Sequence, residues 1–248
     1  SGYTCVPEDM LMSTVSNKLF VEKELAVQSL NELTVKNLIE RKKYGGARFV
    51  FIKYAYTAES KSAVKLFKLL KSEKIVNIKN LYEKVHIESD ENGFSDEQKN
   101  ALEIALENNV CVITGGPGTG KTTILKALIK ILGASGYNYA LAAPTGRAAK
   151  RMEEACGAKA STIHRLLDYR HDDELDECEC KFGRNESNPL EFDAIIVDEA
   201  SMLDIFLLKS LCEAVDLGCK IVFVGDSNQL PSVGAGNVME DLIESNVI

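Results

Sequence analysis

A chain of 248 residues, 45% hydrophobic, has room for one large domain or two small ones with an ample core. It holds no run of 18 uninterrupted apolar residues, so no membrane span is expected; no basic-then-apolar leader opens it. Its seven Cys, odd in number and without framework spacing, argue against a disulfide scaffold and point to the cytoplasm. The formal charge of −8 is unlike the basic footprint usual for nucleic-acid binding, but it is uneven. Residues 1–93 carry 15 Lys and Arg against 12 Asp and Glu, and the remainder 14 against 25. Residues 168–193 alone hold 10 acidic and 3 basic side chains, so a narrow positive groove elsewhere is compatible with the total.

From Pro7 to Gly46 the pattern predicts two amphipathic helices, marked by Leu11, Val15, Leu19 and Phe20, then Leu25, Leu30, Leu33, Val35 and Leu38. Gly45-Gly46 reads as a turn, and the Arg/Phe alternation of Ala47–Ile52 as a half-buried edge strand. Two helices and a strand ribbon resemble a winged-helix arrangement, a module that binds duplex DNA or serves as a protein-packing spacer. A third helix from Ala58 carries Lys61, Lys65, Lys68 and Lys71 along one side, the ordinary signature of a solvated face. Asp90-Glu91-Asn92-Gly93 breaks the pattern and marks the division between a small N-terminal domain, 1–93, and a second domain, 94–248.

Beyond that break, strands are predicted near 110–114, 139–143, 194–197 and 220–224, alternating with helices near 95–107, 121–133, 146–155 and 203–216. Gly157 and Gly218 stand where helix C-caps belong. Alternating β and α elements predict an α/β fold, a parallel sheet with helices on both faces, whose ligands bind beyond the carboxyl ends of the strands.

The strongest local signal is Gly115-Gly116-Pro117-Gly118-Thr119-Gly120-Lys121-Thr122, between the β-branched run Val110–Thr114 and a helical segment. Strand, glycine loop and helix together are the context of a phosphate-binding loop, since glycines let successive N–H groups turn inward and the helix N-terminus adds its dipole. Gly116, Pro117, Gly118, Thr119, Gly120, Lys121, Thr122 and Thr123 are the candidate nucleotide cradle, with Lys121 on the β- and γ-phosphates and the Thr122 hydroxyl on Mg²⁺.

Ala194–Val197 is a buried apolar strand ending in Asp198-Glu199. Alternate residues point apart, so Asp198 is assigned to Mg²⁺ and Glu199 to the attacking water; alone, the pair would equally serve as a helix N-cap with favourable dipole charge. Gly225–Pro231 brackets a tight loop that presents Gln229 to the γ-phosphate. Phe94-Ser95-Asp96-Glu97-Gln98 opens the second domain, Ser95 and Gln98 being spaced as a capping box. Gln98, beside Phe94, also has the donor and acceptor to pair with an adenine edge.

The set GGPGTGKTT, AAPTGRAAKRM, STIHRLL, IIVDEASM and VGDSNQLPSVGAGNV resembles the superfamily 1 DNA helicases, specifically the RecD-like, 5′-to-3′ family of the exodeoxyribonuclease V alpha-subunit type. The likeness is dense over about 94–248 and weaker over Tyr54–Glu59, which is similar to the segment preceding the family's motor. It implies a P-loop NTPase fold of the RecA-like kind, ATP and Mg²⁺ as cofactors, and single-stranded DNA, duplex junctions and recombination or repair proteins as partners. Pro144, Thr145, Gly146 and Arg147 look like one strand-contacting motif, and Thr162 with His164 like a second. Residues 168–190 fall where the family carries a small β-hairpin likened to a duplex-splitting pin. Here His171–Glu177 is acidic, a departure that argues against phosphate contact. Cys178 and Cys180 lack a second Cys/His pair at zinc-finger spacing.

The expected protein is an ATP-dependent DNA helicase acting in recombination and repair. A scaffold subunit of a recombination complex and a small-molecule phosphotransferase are the alternatives. The family's second motor domain, which supplies arginines to the γ-phosphate, would lie beyond Ile248; residues 1–248 alone are expected to hydrolyse ATP poorly and not to translocate.

Overall fold

The computed structural model describes residues 2–170, 182–229 and 232–248. Near the N-terminus, β1 (Cys5–Pro7) leads into α1 (Glu8–Leu19) and α2 (Lys23–Val35), followed by β2 (Ile39–Tyr44) and β3 (Ala47–Ile52). Gly45 and Gly46 have φ of 55° and 90°. Because Tyr44 pairs with Ala47, they form the two-residue hairpin turn whose double positive φ matches strand twist and which glycine enters without strain. β1 pairs antiparallel with β3, giving the order β1-β3-β2. The predicted edge strand 47–52 is therefore central; three residues of β1 are too few to show an alternation.

Met12, Ala26, Leu30 and Val50 form a small core of their own. Leu19, Phe20 and Val35 are 65%, 93% and 87% exposed, so their helical spacing does not mark a buried stripe. Arg41 donates to both Glu8 carboxylate oxygens, at 2.9 and 2.6 Å, and ties the strand ribbon to α1.

The remaining elements run α3 (Lys53–Lys71), α4 (Leu81–Asn92), α5 (Asp96–Glu107), β4 (Val110–Thr114), α6 (Lys121–Ala134), β5 (Tyr139–Ala143), α7 (Gly146–Cys156), β6 (Ala160–Thr162) and α8 (Ile163–Leu166). Then come β7 (Ala194–Val197), a 3-10 turn at Ala200–Met202, α9 (Ile205–Ala214), β8 (Lys220–Gly225) and α10 (Val238–Glu244). The five strands β4 to β8 form one parallel sheet in the order β4-β8-β7-β5-β6. This is the α/β P-loop NTPase sheet the sequence predicts.

Its strands are apolar on both faces, as a sheet covered twice requires. Ile195, Val197, Ile221 and Phe223 face Leu66 and Leu69 of α3, Leu208 and Leu211 of α9, and Val238 of α10. Their neighbours Ala194, Ile196, Val222 and Val224 face Val85 of α4, Leu102 of α5, Leu125 and Leu128 of α6, and Met152 of α7. Thus α3 and α4, upstream of residue 93, are packed into the cores of the sheet. Lys61 of the lysine stripe adds an ion pair to Glu213 of α9, at 3.0 Å.

The local stops differ from expectation at two places. Gly157, with φ 65°, does cap α7. Gly218 caps no helix: α9 ends at Ala214 with Val215 extended, and Gly218 turns the chain into β8 where a Cβ would meet the Glu73 carbonyl at 2.9 Å. The break at 90–93 reduces to Gly93, the left-handed cap of α4, since Asp90–Asn92 are helical.

The flanks of the predicted hairpin insertion run antiparallel: Tyr169 and Phe182 form a bridge, and Gly183 and Arg184 donate to the carbonyls of Asp168 and Leu167 at 3.1 and 3.0 Å. The acidic run His171–Glu177, Cys178 and Cys180 lie outside the described residues, as do Leu230 and Pro231. Among the described residues no helix is long and apolar enough to cross a membrane.

Candidate functional site

Strand order decides which loops meet. β8 lies between β4 and β7, so the glycine loop after β4, the Gln229 loop after β8 and Asp198-Glu199 after β7 leave neighbouring strand tips. Cross-links fix the first two at one level. Thr114 is in register with Gly225, the Gly115 N–H donates to the Gly225 carbonyl at 3.3 Å, and the Thr114 hydroxyl reaches Ser227 Oγ at 3.3 Å.

Within the glycine loop, Gly118 and Gly120 take φ of 77° and 84°, the left-handed region that glycine enters without strain. Thr119 Oγ1 donates to the Gly116 carbonyl at 2.9 Å. Lys121, the first residue of α6, turns its ammonium back onto the loop, donating to the Gly115 carbonyl and to that of Gly116 at 2.8 Å. Thr122 is exposed and Thr123 half-buried in the first turn of α6; the Thr123 N–H donates to the Gly120 carbonyl.

The capping box at α5 is complete: Gln98 N–H donates to Ser95 Oγ at 3.3 Å and Ser95 N–H to Gln98 Oε1 at 3.0 Å. Gln98 Nε2 donates also to the Thr119 carbonyl at 2.9 Å, a clamp on the glycine loop that sequence reasoning missed. An amide NH₂ has two donors and its oxygen two lone pairs, so one of each is left over from these bonds for an adenine edge. Phe94 packs partly buried against the core under α5 and α6.

The clamp is sterically tight, for a Cβ on Gly120 would lie 2.2 Å from Gln98 Nε2. Gly120→Ala is expected to cost about 1–2 kcal/mol from the left-handed backbone and to detach Gln98 from the loop. Thermal denaturation and titration with a fluorescent ADP analogue check both effects.

Asp198 N–H continues the ladder to the Ala142 carbonyl at 2.9 Å, and its Oδ1 accepts from Glu199 N–H at 2.9 Å. Burial pushes the Asp198 carboxyl above its usual range; the neighbouring Glu199 charge adds to the rise, while the Glu199 N–H bond and Lys121 oppose it. A cation bound nearby would favour the charged form that burial disfavours. Glu199 has φ 53°, a strained conformation for a residue with a Cβ. The Gln229 N–H donates to the Asp226 carbonyl at 3.1 Å, closing a turn braced by Asp226 Oδ1 on Asn228 N–H at 2.9 Å; Gln229 itself is exposed.

The two outer strands carry the other motifs. β5 ends at Ala143, so Pro144 and Thr145 form the turn into α7, whose first residues are Gly146 and the exposed Arg147. Thr145 is the N-cap, its Oγ1 accepting from Ala148 N–H at 3.2 Å. In the same register, Ala143 pairs with Thr162, which caps α8 by accepting from Arg165 N–H at 3.2 Å. His164, exposed on α8, lies against the rings of Tyr169 and Phe182 at 5.7 and 5.9 Å. From β4 to β6 the rim spans four strand spacings, about 19 Å.

The profile of the AAA domain matches residues 98–235. The chain belongs to the AAA domain family. Within it the chain is RecD-like, of superfamily 1. It is 42% identical over 144 residues to the ATP-dependent RecD2 DNA helicase of Deinococcus radiodurans, covering 58% of this chain and 19% of that protein. It is 31% identical over 264 residues to the RecBCD enzyme subunit RecD of Buchnera aphidicola subsp. Schizaphis graminum, covering 92% of this chain and 42% of that one. The solved structure of Bacteroides Pif1 bound to single-stranded DNA aligns at 30% identity with a TM-score of 0.40, over 62% of this chain and 36% of that one. The chain thus spans less than half the length of these relatives.

Nucleotide phosphates and Mg²⁺ fit the residues present. A Cβ added at Gly116 or Gly118 would meet no protein atom within 4 Å, so no other part of the protein crowds the loop at these two positions. The hard oxygens of Thr122 and Asp198 suit Mg²⁺, which needs few protein ligands when phosphates supply others.

Proposed function

We propose that this chain is the nucleotide-binding motor portion of an ATP-dependent DNA helicase that moves 5′-to-3′ on single-stranded DNA and acts in recombination and repair. The observation that carries the reading is the division of one sheet rim: the glycine loop, the Gln229 loop and Asp198-Glu199 leave three adjacent strand tips, and threonine-capped helix starts leave the other two. Lys121 and the loop N–H groups bind the triphosphate. Thr122 and Asp198 would hold Mg²⁺, which neutralises developing phosphate charge when bound. Glu199 accepts a proton from the water that attacks the γ-phosphorus, and Gln229 hydrogen-bonds the γ-phosphate. Gln98 and Phe94 flank the adenine.

On the other half, Pro144–Arg147 and Thr162 with His164 meet the DNA strand through N–H groups at helix starts and the Arg147 charge. Duplex junctions and recombination or repair proteins are the further partners of this reading. Two structural units are proposed with it. The packing of α3 and α4 into the sheet's cores favours a division near residue 52 over one at 93.

ATP hydrolysis by the intact protein, with and without a single-stranded oligonucleotide, tests the reading. DNA is expected to stimulate turnover severalfold, and Lys121→Ala to remove turnover and unwinding together. Turnover that ignores DNA but responds to a small-molecule phosphoryl acceptor would mean a phosphotransferase; unwinding unchanged by Lys121→Ala would place the motor elsewhere and leave this chain a scaffold.

A further inference from the structure

Gln229 can act on a γ-phosphate only if its turn is held at a fixed tilt to the glycine loop. The turn's own bonds settle its shape: the Gln229 N–H closes it on the Asp226 carbonyl at 3.1 Å, and Asp226 Oδ1 braces it through the Asn228 N–H at 2.9 Å. Neither bond reaches the glycine loop or its strand. The ladder between β4 and β8 stops earlier, where Thr114 is in register with Gly225 and the Gly115 N–H donates to the Gly225 carbonyl at 3.3 Å.

Past Gly225, among the described residues, one hydrogen bond crosses from the turn to β4: the Thr114 hydroxyl donates to Ser227 Oγ at 3.3 Å. Thr114 is the last residue of β4 and Ser227 the second of the 226–229 turn, and both are exposed. Water offers each hydroxyl a comparable partner, so the pair adds little to the free energy of folding. Its effect is geometric. Gln229 lies two residues beyond Ser227, and Thr114 adjoins Gly115, so the bond ties the turn to the root of the glycine loop.

We propose that Thr114 and Ser227 are positioning residues, a hydroxyl latch that sets the tilt of the Gln229 turn against the glycine loop. The inference rests on the nucleotide-motor reading above. It adds that Gln229 reaches the γ-phosphate from a turn held by β4, with neither hydroxyl touching the nucleotide. Losing the latch leaves the phosphates gripped by Lys121 and the loop N–H groups, while Gln229 swings out of hydrogen-bonding distance.

Steady-state ATP hydrolysis by the intact protein, at saturating single-stranded oligonucleotide, is the test. Thr114→Val keeps the β-branched shape and removes the hydroxyl. It should lower kcat about fivefold, the order of one neutral hydrogen bond, with KM for ATP unchanged within about twofold. Ser227→Ala should match it. The double variant should be no slower than either single, because both substitutions remove the same bond. Thr114→Ser, which restores the hydroxyl without the methyl, should recover most of the lost kcat. Melting temperatures should stay at the wild-type value throughout. The latch is overturned, and the motor reading left standing, by Thr114→Val with wild-type kcat, by a loss that falls on KM, by single effects that multiply in the double variant, or by melting temperatures that fall with kcat. Hydrolysis undiminished by Lys121→Ala overturns the motor reading itself.

Discussion

Glu199→Gln is expected to slow ATP hydrolysis by about 10²–10⁴-fold, the ordinary worth of a positioned general base, while nucleotide affinity changes less than threefold. The reasoning is geometric. Asp198 and Glu199 are consecutive but leave the strand differently: Asp198 continues the strand ladder through Ala142 and Glu199 then turns into the left-handed region. Removing the Glu199 charge leaves the glycine loop, Lys121 and Thr122 in place, so binding survives. It also takes away one of the causes holding the Asp198 carboxyl above its usual range. Single-turnover hydrolysis and equilibrium binding of a non-hydrolysable analogue separate the two effects. Affinity lost in parallel with rate would assign Glu199 to binding instead.

Lys220→Met is expected to raise stability by about 2 kcal/mol at pH 7. Lys220 opens β8 at the end of the sheet away from the site and is 1% exposed, its ammonium donating to the Asn108 carbonyl. Burial drives its pKa from 10.5 down to about 8, a cost of roughly 3 kcal/mol at about 1.36 kcal/mol per unit. Leaving the Asn108 carbonyl without its donor returns about 1 kcal/mol of that.

The sign follows from linkage. Between about pH 8 and 10.5 the unfolded chain holds a proton that the folded chain has shed, so this group makes the wild type gain stability with rising pH. Below that window the penalty is constant. Cys111, Cys212 and Cys219, pushed by burial from 9.0 up to about 12, act in the opposite direction above pH 9. The informative quantity is therefore the difference between variant and wild type in urea denaturation. It should shrink by about 1 kcal/mol from pH 7 to pH 9. A constant difference would mean that Lys220 does not change protonation in that window.

Elements whose residues announce their own physics were readable from the chain. The glycine loop, the apolar runs of β4, β5, β7 and β8, and the capping box of Ser95 and Gln98 all depend on local chemistry, and the strand tips carry the residues assigned to them. What escaped depended on distant partners. β1 and β6 have three residues each, too few for a period, and exist because β3 and β5 supply hydrogen bonds. α4 buries Val85 beside Glu88 and Ser89, so its inward face is half polar and lacks an apolar stripe. Phe20 and Leu19 sit at a helix end that turns outward, which spacing alone cannot reveal. The Gln98–Thr119 clamp joins residues 21 apart, and the Tyr169–Phe182 pair spans the acidic run; neither leaves a motif.

β8 is hydrogen-bonded on one side to β4 and on the other to β7, and its six residues are all buried. The bases of the three segments that follow these strands are thereby welded into one plate, unable to slide past each other without breaking ladder bonds. Admission and release of nucleotide then fall to motions of the segments above the plate, or of a second body closing down on it. The plate itself would act as the fixed anvil of each cycle.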